Sequence, residues 1–283
     1  MSIEKTKKPT AGSVILTIVK YILLLFFAFV ALLPLIWMIS ASLKNSAEVF
    51  SIPMKWIPET FRWENYKSIW NKVPLLTYFK NTGVVAIVVT FMQILTSSFA
   101  AYAFAKLQFK GRDVLFLCYI GTIAVPWQVY MIPQFIMMRG MGLYDTVWAL
   151  VVLQSFSAFG VFLMRQFYLG IPNDLCEAAR IDGLSEYGIW LRIILPLSKA
   201  AIATLCIFTF VNTWNDYMGP MIYLTTDLRK TIQVGLRRFI QAYSADYHLI
   251  MAASLVSLLP VGTVFLCLQK YFIEGIATTG LKG

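Results

Sequence analysis

Six long apolar blocks divide the chain, and polar segments connect them. The blocks cover residues 14–39, 78–105, 114–138, 146–167, 200–224 and 248–272. Each exceeds the about 18 apolar residues that an α-helix needs to cross a hydrocarbon core about 30 Å thick. The pattern predicts an all-α integral membrane domain of six transmembrane helices over residues 14–272, between tails at residues 1–13 and 273–283.

The first block is predicted to be an uncleaved span. Lys5, Lys7 and Lys8 followed by an apolar run also fit a secretory signal, and residues 40–42 mimic a small-residue cleavage site. The run of residues 14–39 is nevertheless well beyond the about 7 to 15 residues of a signal core. We therefore count it as the first transmembrane helix.

Basic residues in the short segments orient the six predicted spans. Lysines precede the first span, and Lys106, Lys110 and Arg112 lie in the turn after the second span. The positive-inside rule places these segments, and with six spans both termini, in the cytoplasm. Segments 42–77 and 225–247 are then external. Four basic residues in the second of these oppose the assignment: Arg229, Lys230, Arg237 and Arg238. We give more weight to the N-terminal segment and the short turn, where the rule is most dependable.

The external segment of residues 42–77 is rich in aromatic residues and proline. Amphipathic aromatic side chains tend to lie at the level of the lipid headgroups. We expect a short interfacial helix at residues 63–70, and we favour anchoring over ligand contact as its role.

The cytoplasmic segment of residues 168–199 is predicted to form a helix, a glycine turn and a second helix. Asp174 is expected to cap the first helix, with Glu177 reaching back in a capping box. Gly183 suits the left-handed residue that closes a helix. Ser185 is expected to cap the second helix, and Pro196 to end it before the fifth span.

Composition and charge agree with a membrane protein and argue against other classes. The 283 residues are 59% hydrophobic and 13% charged, against roughly 45–50% and 25% in soluble domains. The net charge of +10 is scattered over short segments. Without a continuous basic patch, nucleic acid is not an expected partner. The four cysteines have neither zinc spacing nor the density of a disulfide framework.

Polar residues within apolar spans are costly and mark candidate pathway positions. In the fifth span, Thr209, Asn212, Asp216 and Gly219 recur at helical spacing and predict one polar stripe. Such groups either exchange hydrogen bonds with cargo or bond across helix interfaces, and we leave both interpretations open. The candidate substrate-pathway residues are Asn212, Asn215, Asp216, Tyr217, Gln128 and Gln154.

Catalytic and nucleotide-binding signals are absent from the sequence. Residues 275–282 come nearest to a phosphate loop, but they lack its GK[ST] ending and have no following helix. The one histidine, His248, offers no metal cluster and no catalytic set. We predict that the chain is not an enzyme, binds no metal or cofactor, and leaves ATP to a partner.

The motif Glu177-Ala178-Ala179 with Gly183, followed by Leu195-Pro196, resembles the EAA loop of ABC importer permeases. Further marks are similar to the carbohydrate, maltose-type branch of that family. They are residues 56–58, 65–66, 101–105, 109–112, 214–217, 219–220 and 279–283. The resemblance therefore covers nearly the whole chain and implies the type I ABC importer permease fold in a bacterial cytoplasmic membrane.

This resemblance also implies partners and residue roles. The partners are a homologous second permease, two ATP-binding subunits that hold ATP and Mg, and an extracellular or periplasmic sugar-binding protein, all around a subunit in the lipid bilayer. Residues 177–183 would form a coupling helix that docks on an ATPase subunit, with Glu177, Ala178, Ala179, Asp182 and Gly183 as its key positions. The tail residues expected to contact the ATPase are Thr279, Gly280, Leu281, Lys282 and Gly283. Residues 225–247 would reach the binding protein.

The sequence therefore predicts one permease subunit of an ATP-dependent importer for a sugar or oligosaccharide. The same architecture with another small polar cargo, such as a glycerol phosphodiester, is the first alternative. A membrane enzyme or a passive channel is the second.

Overall fold

The computed structural model describes residues 11–240 and 246–280, and within these ranges the chain is helical without any β-strand. The helices are, in chain order, α1 (Ala11–Ser42), α2 (Glu64–Lys72), α3 (Leu75–Lys106), α4 (Arg112–Ala124), α5 (Trp127–Gly140), α6 (Val147–Gln154), α7 (Ala158–Leu169), α8 (Asp174–Ile181), α9 (Glu186–Leu197), α10 (Lys199–Trp214), α11 (Met218–Tyr223), α12 (Ile232–Leu236) and α13 (Tyr247–Gly280).

Within residues 11–240 and 246–280, three helices are long and apolar enough to cross a membrane unbroken: α1, α3 and α13. Three further pairs pass the same test together, although each pair is bent at a short break. The bend is 97° between α4 and α5, 41° between α6 and α7, and 81° between α9 and α10. If each pair is one span, the described residues contain six spans.

The breaks have local causes in the sequence. Pro126 forces the preceding Val125 into an extended conformation, with ψ at 114°, and this ends α4. Ser157 starts α7, because its hydroxyl accepts a hydrogen bond from the Gly160 amide at 3.0 Å. At the third break, the Ser198 hydroxyl bonds the Ile194 carbonyl at 2.8 Å, and α10 begins in a new direction.

Helix α3 lies at the centre of the bundle and packs most extensively against α7 and α10. Its side chains also satisfy backbone groups that the α6–α7 break releases. The Gln93 amide donates to the Gln154 carbonyl at 2.7 Å, and the Thr96 hydroxyl donates to the Ser155 carbonyl at 2.8 Å. Irregular backbone at membrane depth is tolerated where neighbouring side chains supply such bonds.

The outer faces of the bundle are apolar. Leu16 is 73% exposed and Leu25 is 69% exposed on α1, which packs along α13. Large hydrophobic side chains on α4 and α5 are also exposed, among them Leu117 and Val129. These surfaces suit a lipid solvent rather than water.

A helix, α2 (Glu64–Lys72), forms where an interfacial helix was expected at residues 63–70. Its Asn65 is buried and donates to two backbone carbonyls, of Ser42 and Lys44, each at 2.8 Å. The helix therefore holds the end of α1 in place.

The expected helix, turn and helix of residues 168–199 form, with two corrections. Gly183 is left-handed with φ at 81°, and the Ser185 hydroxyl caps α9. The expected cap at Asp174 is wrong, because the helix begins at that residue after Asn173, whose side chain instead accepts a hydrogen bond from Lys106. Pro196 does not end the second helix. A π-helical turn at Trp190–Ile194 precedes the proline, and the helix runs on to Leu197.

Candidate functional site

Two cavities in the described part of the chain meet where α6 and α10 end. The first cavity, of about 250 Å³, lies between α5, α6 and α11. The second cavity, of about 380 Å³, lies between α3, α7 and α10. Gln154, at the end of α6, and Asp216, between α10 and α11, line both. These two residues therefore form the wall that the cavities share.

Hydrogen bonds fix the polar groups at this wall. Asp216 accepts from the Gln154 amide at 2.8 Å and from the Gly219 backbone N–H at 3.1 Å. The side-chain amide oxygen of Gln154 accepts from the Thr213 hydroxyl at 3.1 Å. A parallel bond, from the Thr209 hydroxyl to Gln93 at 2.8 Å, ties α10 to α3. These bonds join four helices at the wall: α3, α6, α10 and α11.

The cavities offer aromatic rings and hydrogen-bonding groups, with little charge. Trp127, Tyr130 and Tyr223 line the first cavity, and amide and hydroxyl groups line most of the second. Among the residues lining the two cavities, Asp216 is the one whose side chain is an acid or a base near neutral pH. Such a lining can bind a polyhydroxylated molecule by hydrogen bonds and ring contacts, and it opposes the entry of negative charge.

The structure brings together half of the six predicted pathway residues. Gln154 and Asp216 line both cavities, and Asn212 lines the second. Asn215 instead accepts from Gln233 at 3.1 Å, and the Tyr217 hydroxyl accepts from Arg237 at 3.0 Å. These two side chains fasten the segment between α11 and α13 to the bundle.

Gln128 is exposed on α5 and lines neither cavity. The predicted continuous stripe from Thr209 to Gly219 is also corrected, because α10 ends at Trp214 and residues 215–217 are not helical. Asp216 accepts from the Gly219 amide and so starts α11 in a new direction. A spacing of three or four residues could not reveal this break.

The sequence did not point to several lining residues, among them Tyr130, Thr213 and Tyr223. Tyr223 is 1% exposed, and its hydroxyl has no hydrogen-bond partner within the described part of the chain. A usable signal was the nearby pair of Trp127 and Gln134, which lies beside two prolines. The Trp127 indole N–H donates to the Gln134 side-chain oxygen at 3.0 Å. Tyr130 lies on the same helix, between these two residues.

The predicted coupling positions divide between the surface and the core. Glu177, Ala178, Asp182 and Gly183 are exposed. Ala179 is 3% exposed and packs with Cys176 in the hydrophobic core, so it faces this chain. The outer face of α8 carries exposed apolar residues that the sequence analysis did not single out, Leu175 and Ile181, on either side of Ala178. Residues at positions i, i+3 and i+6 form one stripe on a helix.

A third cavity, of about 460 Å³, lies beside α8. Lys106, Glu177, Arg180 and Glu186 contribute charged groups to its lining. Arg180 binds Glu186 through two nitrogens, at 2.6 and 3.2 Å. The hydrogen bond from Arg180 lowers the pKa of Glu186 against the opposing effect of burial, so this carboxyl is ionised at neutral pH.

Of the predicted tail contacts, Thr279 and Gly280 lie in the last turn of α13. Leu281, Lys282 and Gly283 lie outside the described residues. Within the described ranges, no group of three His, Cys, Asp or Glu side chains could hold a metal ion.

The fold is that of a solved transporter subunit. The structure superposes with a TM-score of 0.80 and 26% identity on a chain of a bacterial ABC transporter involved in the import of the acidic polysaccharide alginate. The match covers 94% of this chain and 100% of that chain. The predicted all-helical fold of type I ABC importer permeases is thereby confirmed.

Residues 93–278 match the family of binding-protein-dependent transport system inner membrane components, and the chain belongs to this family. The resemblance read from the EAA motif is therefore confirmed. The chain is a membrane component of an ABC transport system, and its family is one of transporters rather than enzymes.

Curated relatives match over nearly their whole length. The arabinooligosaccharides transport system permease protein AraQ of Halalkalibacterium halodurans is 34% identical, over 91% of this chain and 94% of that protein. The lactose transport system permease protein LacG of Rhizobium radiobacter is 31% identical, over 92% and 94%. The sn-glycerol-3-phosphate transport system permease protein UgpE of Yersinia pestis is 32% identical, over 93% and 94%.

Proposed function

We propose that this chain is one permease subunit of an ATP-driven, binding-protein-dependent importer for a neutral sugar or oligosaccharide. The observation that carries the proposal is the pair of cavities that share the polar side chains of Gln154 and Asp216 where α6 and α10 end. Relatives that transport arabinooligosaccharides and lactose support a carbohydrate cargo. The cavities are this subunit's half of the pathway, and a homologous second permease completes it.

The absence of basic groups from the wall argues for an uncharged cargo. Asp216 contributes a carboxyl group, and none of the residues lining the two cavities is basic. An anionic ligand in a site of low dielectric needs a cation or several hydrogen-bond donors to replace its water. Amide, hydroxyl and aromatic groups instead match the hydroxyls and C–H faces of a sugar.

A second candidate cargo is a glycerol phosphate or phosphodiester. The 32% identity to the sn-glycerol-3-phosphate permease favours it, whereas the acidic wall opposes it. The two cargos can be separated by reconstituting the full transporter with its binding protein and measuring uptake of labelled neutral disaccharides, acidic disaccharides and glycerol phosphodiesters. Uptake confined to phosphodiesters would refute the sugar assignment.

The exposed stripe of α8 is the proposed docking site for an ATP-binding subunit. Leu175, Ala178 and Ile181 present an apolar face, and Ile181 is 87% exposed. Glu177 beside the stripe supplies a charged contact. Such a mixture of a small apolar centre and a charged rim suits a protein interface. Cross-linking from Ala178 to an ATPase subunit, with Ala179 as the inward-facing control, tests the assignment.

The α8 end of the bundle is proposed to face the cytoplasm, with both termini on that side. Lys106, Lys110 and Arg112 lie near this end, as the positive-inside rule requires. The segments before α3 and between α11 and α13 then face outward, where a sugar-binding protein delivers its cargo. Labelling of single cysteines placed at Asp182 and Asp227 from either side of the membrane tests this orientation.

The alternative of a passive channel makes a different prediction for the reconstituted complex. Import by the proposed mechanism stops when the ATPase subunits are inactivated. Sugar movement that continues without ATP hydrolysis would identify a channel instead.

A further inference from the structure

The α8 segment is fastened on both sides to the last turns of one helix, α3. Before α8, the Lys106 ammonium group donates to the Ile171 carbonyl at 2.6 Å and to the Asn173 side chain at 2.8 Å. After α8, the Tyr102 hydroxyl donates to Glu186 at 2.5 Å. Tyr102 and Lys106 are four residues apart, so they lie on the same face of α3.

The bond to Glu186 extends to the end of α8 itself. Arg180, in the last turn of α8, binds the same carboxylate through two nitrogens. Tyr102, Glu186 and Arg180 therefore form one chain of hydrogen bonds across the Gly183 turn. Arg180 and Glu186 are about two-fifths exposed, so the ion pair adds little stability and its effect is to fix geometry.

Close packing joins the same elements beneath these bonds. Tyr102 is 3% exposed, and it belongs to one hydrophobic cluster with Cys176 and Ala179 from the inner face of α8 and with Ile189 from α9. Close-packed interiors transmit displacement instead of absorbing it. The inner face of α8 and the end of α3 therefore move together.

The other connections from the α8 segment to the spans, through α7 and through α10, are bent or irregular. On the N-terminal side, residues 170–173 separate α8 from α7 without helical structure. On the C-terminal side, a left-handed Gly183, a π-helical turn and a bend of 81° separate α8 from α10. Helix α3 is unbroken from Leu75 to Lys106, so it is the stiff element among the three.

Helix α3 also reaches the cavities. Gln93 lies nine residues before Tyr102, which is about 14 Å along a helix at 1.5 Å per residue. Its amide donates to the Gln154 carbonyl, and its oxygen accepts from Thr209. A shift of α3 along or about its axis therefore acts directly on a residue of the wall that the two cavities share.

From these contacts we infer that Tyr102, Glu186 and Lys106 are positioning residues that carry the motion of α8 into α3, and that α3 carries it to Gln93 and the cavity wall. This inference rests on the proposed function, in which an ATP-binding subunit moves α8. The spans joined to α8 by the chain, α7 and α10, follow α3 through packing.

The test is the number of sugar molecules imported per ATP hydrolysed by the reconstituted transporter. Tyr102→Phe and Glu186→Leu each remove one group of the link, and we expect this ratio to fall about five- to tenfold, in the range typical of coupling between distant sites. ATP hydrolysis and assembly with the partner subunits should persist. Because both changes cut the same link, the double variant should lose no more than the worse single variant.

The matched control is Tyr187→Phe, which makes the same chemical change one residue from Glu186. Tyr187 is 68% exposed and stacks on Phe99 through its ring, which the change preserves. The control should keep the ratio of the unmodified transporter. Equal ratios in Tyr102→Phe, Glu186→Leu and this control would overturn the inference.

A second experiment stays decisive if these variants assemble poorly. Cysteines at positions 102 and 186, in a background without the four native cysteines, are joined by a short thiol-specific linker. We expect import per ATP to be low before linkage and restored after it. If linkage leaves the ratio low or stops import, α3 and α9 must move separately, and the inference is wrong.

These outcomes are distinct from a failure of the proposed function. That failure would appear in the unmodified transporter, as sugar movement independent of ATP or as an absence of ATPase subunits bound at α8. Failure of the inference appears only in the comparison among variants of a transporter that couples normally.

Discussion

Gln154 donates a 2.8 Å hydrogen bond to Asp216, and the two residues lie at breaks between different helices, α6–α7 and α10–α11. Gln154 ends α6, and Asp216 stands between α10 and α11. Each break exposes backbone and places a polar side chain at the same wall. The position of the cavities is therefore set by interrupted helices more than by polar faces of continuous ones.

This bond predicts different outcomes for two substitutions of Asp216. Asp216→Asn keeps one oxygen that can accept from the Gly219 N–H. Rotation of the Gln154 side-chain amide would let its oxygen accept from the new NH2 group in place of the bond now made to the second carboxylate oxygen, so the fold and subunit assembly should persist. Asp216→Leu leaves the Gln154 amide unpaired at the wall, which costs about 1–3 kcal/mol. Thermal unfolding of the purified complex should show a lower midpoint for the leucine variant alone. Equal midpoints would show that the bond does not support the fold.

Gly160 lies where α7 and α3 approach each other closely. A Cβ atom there would overlap the Ser97 hydroxyl oxygen and lie 3.2 Å from a Leu205 methyl group. We expect Gly160→Ala to destabilise the protein by about 1–3 kcal/mol through overpacking. The control is Gly83→Ala on α3, where no atom lies within 4 Å of the added group. That change should be neutral or stabilising, by at most about 1 kcal/mol.

Substitutions of Gly183 test the turn after α8, and they act through backbone conformation alone. Nothing lies within 4 Å of an added Cβ atom, yet φ is 81°. A β-branched residue is strained in this region by about 1–2 kcal/mol, whereas asparagine adopts it readily. Gly183→Val should therefore impair import, and Gly183→Asn should retain most of it. Normal sugar uptake by the valine variant would contradict the role of this turn.

Asp145 contacts Thr225 and Thr226, near the start of the segment between α11 and α13, and we expect this contact to be sensitive to acid. Burial opposes its ionisation, but hydrogen bonds from Thr226 and Thr225 outweigh this effect and lower the pKa of Asp145 to about 2. The folded pKa lies below the unfolded value of about 3.9. The contribution of the ionised Asp145 carboxylate to the free energy of unfolding is therefore complete when the pH is above that unfolded value. It is lost as the pH falls through about 2.

The measurement compares thermal unfolding of the unmodified protein and Asp145→Asn between pH 5 and pH 2. Asparagine tolerates the positive φ of 57° at this position. The difference between the two midpoints should shrink as the pH falls below 4. A difference that stays constant over this interval would exclude the carboxylate as its source.

Local signals in the sequence were sufficient for the membrane fold and for the turn after α8. Apolar length predicted helical spans, and the glycine and serine at positions 183 and 185 predicted how α8 ends and α9 begins. Both kinds of signal act within a few residues, so they can be read without knowledge of the tertiary structure.

Which residues line the cavities depends on contacts between residues that are distant in sequence, and here the sequence was a weaker guide. Asn215 and Asp216 are adjacent, yet one binds Gln233 and the other Gln154. Similarly, Ala178 and Ala179 look equivalent in the motif, but one is exposed and the other buried. Only the packing of α8 against α3 distinguishes them.

The contrast between unbroken and broken spans has a consequence for biogenesis. None of the most apolar stretch of α1 is buried within the chain, against 39% of that of α3, so α1 can partition into lipid before any partner is present. The segments of the bent pairs, such as the eight residues of α6, are too short to cross alone. Insertion is therefore expected to be staged. The unbroken helices enter the bilayer first, and the segments of the bent pairs pack around them afterwards.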